Sequence, residues 1–144
     1  MLSEESLLLM PEFEMRLNVL QRLNYIDKDR IVQLKGRVAR EVTTCDELIA
    51  TELIFENILT PLTPEEIVSL LSCLIFEDKT DAEPELPDRL VQAHKALVNL
   101  TIGLANIQIE YGLKLTPKDY LKENVRWGLM QVVYEWARNM VRGN

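Results

Sequence analysis

The chain has 144 residues, 47% of them hydrophobic and 27% charged, and a net charge of −7. That length suits one domain, or the edge of a larger one, and can bury about 68–70% of the unfolded surface. The composition is globular, and apolar runs such as 67–76 are too short and broken to span a bilayer. The acidity argues against an independent nucleic-acid binder, whose affinity rests largely on neutralising phosphates. Residues 1–5 lack a basic region followed by an apolar stretch, so no secretory signal is read there. Cys45 and Cys73 sit in apolar helical patterns and are expected to be reduced, buried thiols of a cytosolic or nuclear protein.

In chain order, Phe13, Leu17, Leu20 and Asn24, flanked by Met15, Val19 and Leu23, predict a helix over 11–23. Pro11 suits its first position, where the missing N–H is no loss. Tyr25-Ile26 and the run from Ile31 to Leu34 are β-prone and separated by a polar turn. A helix followed by two short strands is the profile of a winged-helix ending, with a small β-hairpin. Gly36 is expected to break the second strand, giving either a positive φ or a close backbone approach that a Cβ would block.

From Thr44 onward the pattern is helical. Thr44-Cys45-Asp46-Glu47 reads as a capping box opening a helix through Leu48, Leu53 and Leu59, and Thr63-Pro64-Glu65-Glu66 repeats the signal. The apolar run 67–76 is the candidate central helix, and 77–88 an acidic, proline-bearing surface loop. A long helix is expected over 87–111 with Gly112 as its stop. Thr116-Pro117 starts a short helix. A last helix over about 124–140 is expected to bury Leu129, Val132, Val133, Trp136 and Met140. The fold class is therefore all-α, a helical bundle with a small β-hairpin in a winged-helix-like tail (1–40) followed by the bundle proper (41–144).

Chemistry-bearing clusters are sparse. There is no Gly-rich loop followed by Lys and Ser/Thr, so no phosphate cradle. His94 has no Cys or carboxylate at ligand spacing and is read as a solvated or partly packed structural residue. Glu65-Glu66 is explained as helix N-terminal charge. Trp127, beside Arg126, is either an exposed contact for a partner or a base, or packs against the Tyr120 region.

Two strings carry a resemblance, Leu34-Lys35-Gly36-Arg37-Val38-Ala39 and Val132-Val133-Tyr134-Glu135-Trp136-Ala137-Arg138. With Pro11-Glu12-Phe13-Glu14-Met15-Arg16-Leu17 and Tyr25-Ile26-Asp27, the chain resembles the C-terminal helical (DSHCT) domain of exosome-associated DExH-box RNA helicases. The superkiller (Ski-complex) branch fits better than the nuclear one. The match runs over about 7–140. Asn139 departs from the usual Gly after the Trp-Ala-Arg string, and the family's bundle continues further, through the helix that lines the RNA channel.

The resemblance implies an accessory domain of an ATP-dependent RNA helicase that threads RNA into the exosome for 3′–5′ decay. No catalysis belongs to this segment, and ATP and magnesium belong to the motor domains. Its implied partners are those motor lobes, RNA in their context, and Ski-complex and exosome subunits, in the cytoplasm or, on the other branch, the nucleus. Arg37 and Arg40 become contacts to phosphate or the ATPase lobe, or interdomain salt-bridge residues, the structural role being preferred. An apolar face open to self-association is expected where the bundle stops. Two competing readings are a protein-interaction module that never meets RNA, and a winged-helix reader resting on 11–39. The mixed charge of Glu12, Glu14, Arg16 and Arg22 supports the last poorly.

Overall fold

The computed structural model describes residues 4–75, 85–126 and 129–141, with the backbone alone for 4–10 and 141. Seven helices form among them: α1 (Glu4–Arg22), α2 (Leu34–Ala39), α3 (Glu47–Phe55), α4 (Pro64–Ile75), α5 (Asp88–Glu110), α6 (Pro117–Asn124) and α7 (Met130–Val141). The all-α class holds. The β-hairpin does not: among the described residues no strand forms, and the expected pairing shrinks to one antiparallel bridge between Ile26 and Val32.

Local chemistry explains the loss. The Asp27 carboxylate accepts from the backbone N–H groups of Asp29 (2.8 Å) and Ile31 (2.9 Å), winding the segment into a tight turn. Past the bridge the N–H of Gln33 still reaches the Tyr25 carbonyl, but Leu34 then enters α2. Gly36 lies inside that helix instead of breaking a strand. A Cβ on it would stand 2.6 Å from the Tyr25 carbonyl oxygen and 2.8 Å from Val32 Cγ1. The close-approach reading of this glycine is the one that applies.

Helix ends follow side-chain chemistry closely. α1 begins before Pro11, which sits inside it. It ends in a Schellman motif, in which Asn24 takes a left-handed φ of 68° while Tyr25 N–H bonds the Leu20 carbonyl and Asn24 N–H that of Gln21. α5 stops the same way at Gly112 (φ 98°), with Leu113 N–H on Gln108 and Gly112 N–H on Ile109. The cap of α3 is Asp46, not Thr44; its Oδ1 accepts from Leu48 (2.9 Å) and Ile49 (3.1 Å). A carboxylate caps a helix well, and Oδ2 of the same residue takes the Tyr120 hydroxyl at 2.9 Å, tying α6 to α3. The second box forms as expected, Glu66 accepting from Thr63 N–H and donating its own N–H to the Thr63 hydroxyl oxygen.

The centre of the bundle is α5 rather than α4. α5 packs against α1, α3, α4 and α6, burying Leu90, Leu97, Leu104 and Ala105. α4 leans chiefly on α7 and leaves Val68 and Ile75 exposed. The α4–α7 seam is antiparallel: Arg126 N–H bonds the Cys73 carbonyl, and the Ser69 hydroxyl donates to the Met130 carbonyl at 2.7 Å. Most of the expected acidic loop, 77–84, lies outside the described residues, as does Phe76.

Candidate functional site

α2 has six residues and would not stand alone in water. Its anchor is Lys35, whose ammonium donates to Glu52 Oε1 (2.8 Å) and to the Leu23 carbonyl (3.1 Å). The same ammonium lies 5.4 Å from the centre of the Tyr25 ring and 5.7 Å from that of Phe55, within cation–π range. Tyr25 completes the cluster by donating its hydroxyl to Glu52 at 3.1 Å. The pair is well buried, Glu52 being 7% and Lys35 21% exposed. Burial, reinforced by Glu52, raises the Tyr25 phenol well above its ordinary pKa, so it stays a donor. Sequence reasoning missed this cluster. Its only sign was Glu52 inside an otherwise apolar stretch.

With Lys35 turned inward, Arg37 and Arg40 stand on the exposed side at the end of α2. They are three residues apart and so share a helix face. Arg40 meets only its neighbour Glu41, at 3.6 Å and with both side chains largely exposed, an ion pair of little energy. Two exposed guanidinium forks at the end of a short helix, Arg37 without an ion pair among the described residues, can grip a phosphate or a carboxylate. Trp127 lies outside the described residues.

α7 carries two apolar stripes. Met130, Tyr134 and Ala137 face the core. Val132, Trp136 and Met140, spaced four apart, are 62%, 60% and 57% exposed. The expectation that Val132, Trp136 and Met140 are buried is thereby corrected: the small Ala137 packs toward α4, and these three lie on another face. The outer stripe is an exposed apolar face with an aromatic at its centre.

The remaining titratable groups are structural. His94 is 5% exposed, and burial lowers its pKa to about 4, leaving it neutral at pH 7. Burial pushes the Cys73 thiol up to about 12 and raises that of half-buried Cys45, so neither is poised for nucleophilic work. Tyr120 is raised by burial and by Asp46. Among the described residues no three His, Cys, Asp or Glu side chains gather as metal ligands, and no helix is long and apolar enough to cross a membrane.

Residues 29–141 match the DSHCT (NUC185) domain family, from the Asp27 turn through the whole of α7. The chain belongs to the DSHCT family. It is 42% identical over 137 residues to the DExH-box ATP-dependent RNA helicase DExH11 of Arabidopsis thaliana, covering 95% of this chain and 10% of that protein. Superkiller complex protein 2 of Homo sapiens is 41% identical over 97% of this chain and 11% of its own length. The ATP-dependent RNA helicase mtr4 of Schizosaccharomyces pombe is 35% identical over 92% of the chain and 12% of its own length. This DSHCT domain thus spans about a tenth of the relatives it matches, and its similarity is higher to the superkiller protein than to mtr4.

Proposed function

We propose that this DSHCT domain is a non-catalytic accessory domain of a superkiller-type, ATP-dependent RNA helicase. It braces the two motor lobes and forms part of the path by which RNA is passed to the exosome for 3′–5′ decay in the cytoplasm. The observation that carries this reading is the 41% identity to a superkiller complex protein along nearly the whole chain. On this reading residues 1–40 are the tail of a preceding winged-helix unit and 41–144 the helical bundle. ATP and magnesium are held by motor domains elsewhere in the polypeptide.

Arg37 and Arg40 are the proposed contacts to RNA phosphate or to a motor lobe, with Trp127 as a further contact, while the α7 stripe takes an apolar surface. The test is unwinding of an RNA duplex with a 3′ overhang by the full-length protein. Arg37→Glu combined with Arg40→Glu is expected to lower unwinding at subsaturating RNA by about a hundredfold or more, each lost charge-assisted phosphate contact weakening binding by roughly 1.5–3 kcal/mol. If removal of this whole region leaves both unwinding and coupled decay intact, the reading fails.

The net charge of −7 and the bare α7 stripe favour one second reading, a protein-interaction module that makes no RNA contact. Fluorescence anisotropy of a labelled RNA with the full-length protein separates the two. Under the second reading Arg37→Glu and Arg40→Glu leave RNA affinity unchanged.

A further inference from the structure

Two residues sit where they weaken their own helices, with no compensating contact among the described residues. Gly103 is in the middle of α5, where its backbone freedom disfavours the helix. A Cβ built on it meets no atom within 4 Å, so, unlike Gly36, no neighbouring segment needs the room. Glu56 caps the C-terminus of α3, the negative end of the helix dipole, where a cation is favoured. The last turn of α3 has no basic residue, and Glu56 has no ion pair among the described residues.

Both residues line one groove of about 520 Å³, formed mainly by α5 with the end of α3 and the residues after it. Leu23, Ile58, Leu100 and Ile107, all half-buried, give it apolar surface. Asn99 and Glu56 are its exposed polar members, and its other carboxylate, Glu52, is already matched by Lys35. Ala96, Asn99 and Gly103 are spaced three and four apart and so lie along one side of α5. Without a side chain at Gly103, a second backbone can come close there.

We propose that this groove docks an amphipathic helix of a separate protein, with aliphatic side chains on one face and an Arg or Lys beside them to meet Glu56. The cation that α3 lacks at its C-terminus is supplied by the partner, and Gly103 is the point of closest approach. A polar rim suits a surface that must also stand uncovered in water, as reversible partners require. The bare stripe on α7 suits permanent cover instead. This proposal goes beyond the helicase reading and does not depend on it.

The experiment places the photo-cross-linker p-benzoylphenylalanine at Asn99 of the full-length protein, irradiates cells that make it, and identifies cross-linked peptides by mass spectrometry. The expected product joins Asn99 to a helical segment of another protein that carries aliphatic residues and an Arg or Lys. A synthetic copy of that segment is then expected to bind the full-length protein, and to lose at least tenfold in affinity to Glu56→Arg and to Gly103→Phe. Glu47→Arg, an equal charge change on the exposed first turn of α3, is expected to alter affinity by less than twofold. Melting curves check that both groove variants fold. Cross-links confined to the protein's own polypeptide or to RNA, no cross-link, or a peptide indifferent to both groove variants each overturn the proposal.

Discussion

Glu52 is a carboxylate inside a mostly apolar helix, held by one ammonium and one phenol. Removing one partner of such a buried pair leaves the other charge uncompensated, which costs about 3–5 kcal/mol. Lys35→Met is therefore expected to destabilise the domain by about 3 kcal/mol, and Glu52→Gln made together with it to recover much of the loss. Urea unfolding of the two variants and the wild type tests this; equal stability of both would remove the cluster from the account of α2. His94 sets a second expectation. Its folded pKa, about 4, lies below the ordinary 6.5, so the unfolded chain binds its proton first. Stability is expected to be unaffected above pH 6.5, to fall as pH drops from 6.5 toward 4, and to lose nothing further from this residue below that. His94→Gln is expected to flatten that limb of a pH series of urea melts, whereas parallel curves for the two proteins would rule the effect out.

Among the elements, the glycines separate what a sequence shows from what it hides. Gly36→Ala is expected to cost roughly 1–3 kcal/mol by overpacking, because the backbone of Tyr25 and the side chain of Val32 fill the space; a thermal melt no lower than wild type would contradict this. That Gly36 served a close approach was legible; that it did so from inside a helix was not, because the turn around Asp27 decides where pairing ends. Helix α7 shows a similar limit. Its periodicity correctly announced an amphipathic helix, yet Met130-Tyr134-Ala137 and Val132-Trp136-Met140 are both apolar at helical spacing. Only packing on α4 selects between them, and the exposed choice is the one with the tryptophan. Light scattering over a concentration series is expected to show the chain associating through this stripe. Trp136→Glu is expected to return it to a monomer; association unchanged by that substitution would assign it to another face.

For the molecule as a whole, pattern and capping chemistry gave away the helical class, the Thr63 and Thr116 starts and the Gly112 stop. The choice of central helix was not visible, since α4 is the more uniformly apolar but α5 is the longer and touches more of the fold. Candidate contacts were harder still. Arg37 and Arg40 drew notice because they sit in a recognisable string, whereas the groove beside Gly103 is assembled from α5, the end of α3 and the turn after α1 and has no signature along the chain. Long-range placement of that kind is a property of packing, and single residues carry little of it.

The seam between α4 and α7 has a consequence in time. Ser69 and its partner carbonyl at Met130 are 61 residues apart, and everything between them must be made before they can meet. At roughly 5–20 residues per second of synthesis, that interval is about 3–12 s. During it, the nascent chain carries an apolar α4 face without its cover. A chaperone, or a neighbouring ribosome's copy of the same chain, can reach that face first, so the yield of folded protein in the cell should depend on how fast the stretch of message between these two helices is read.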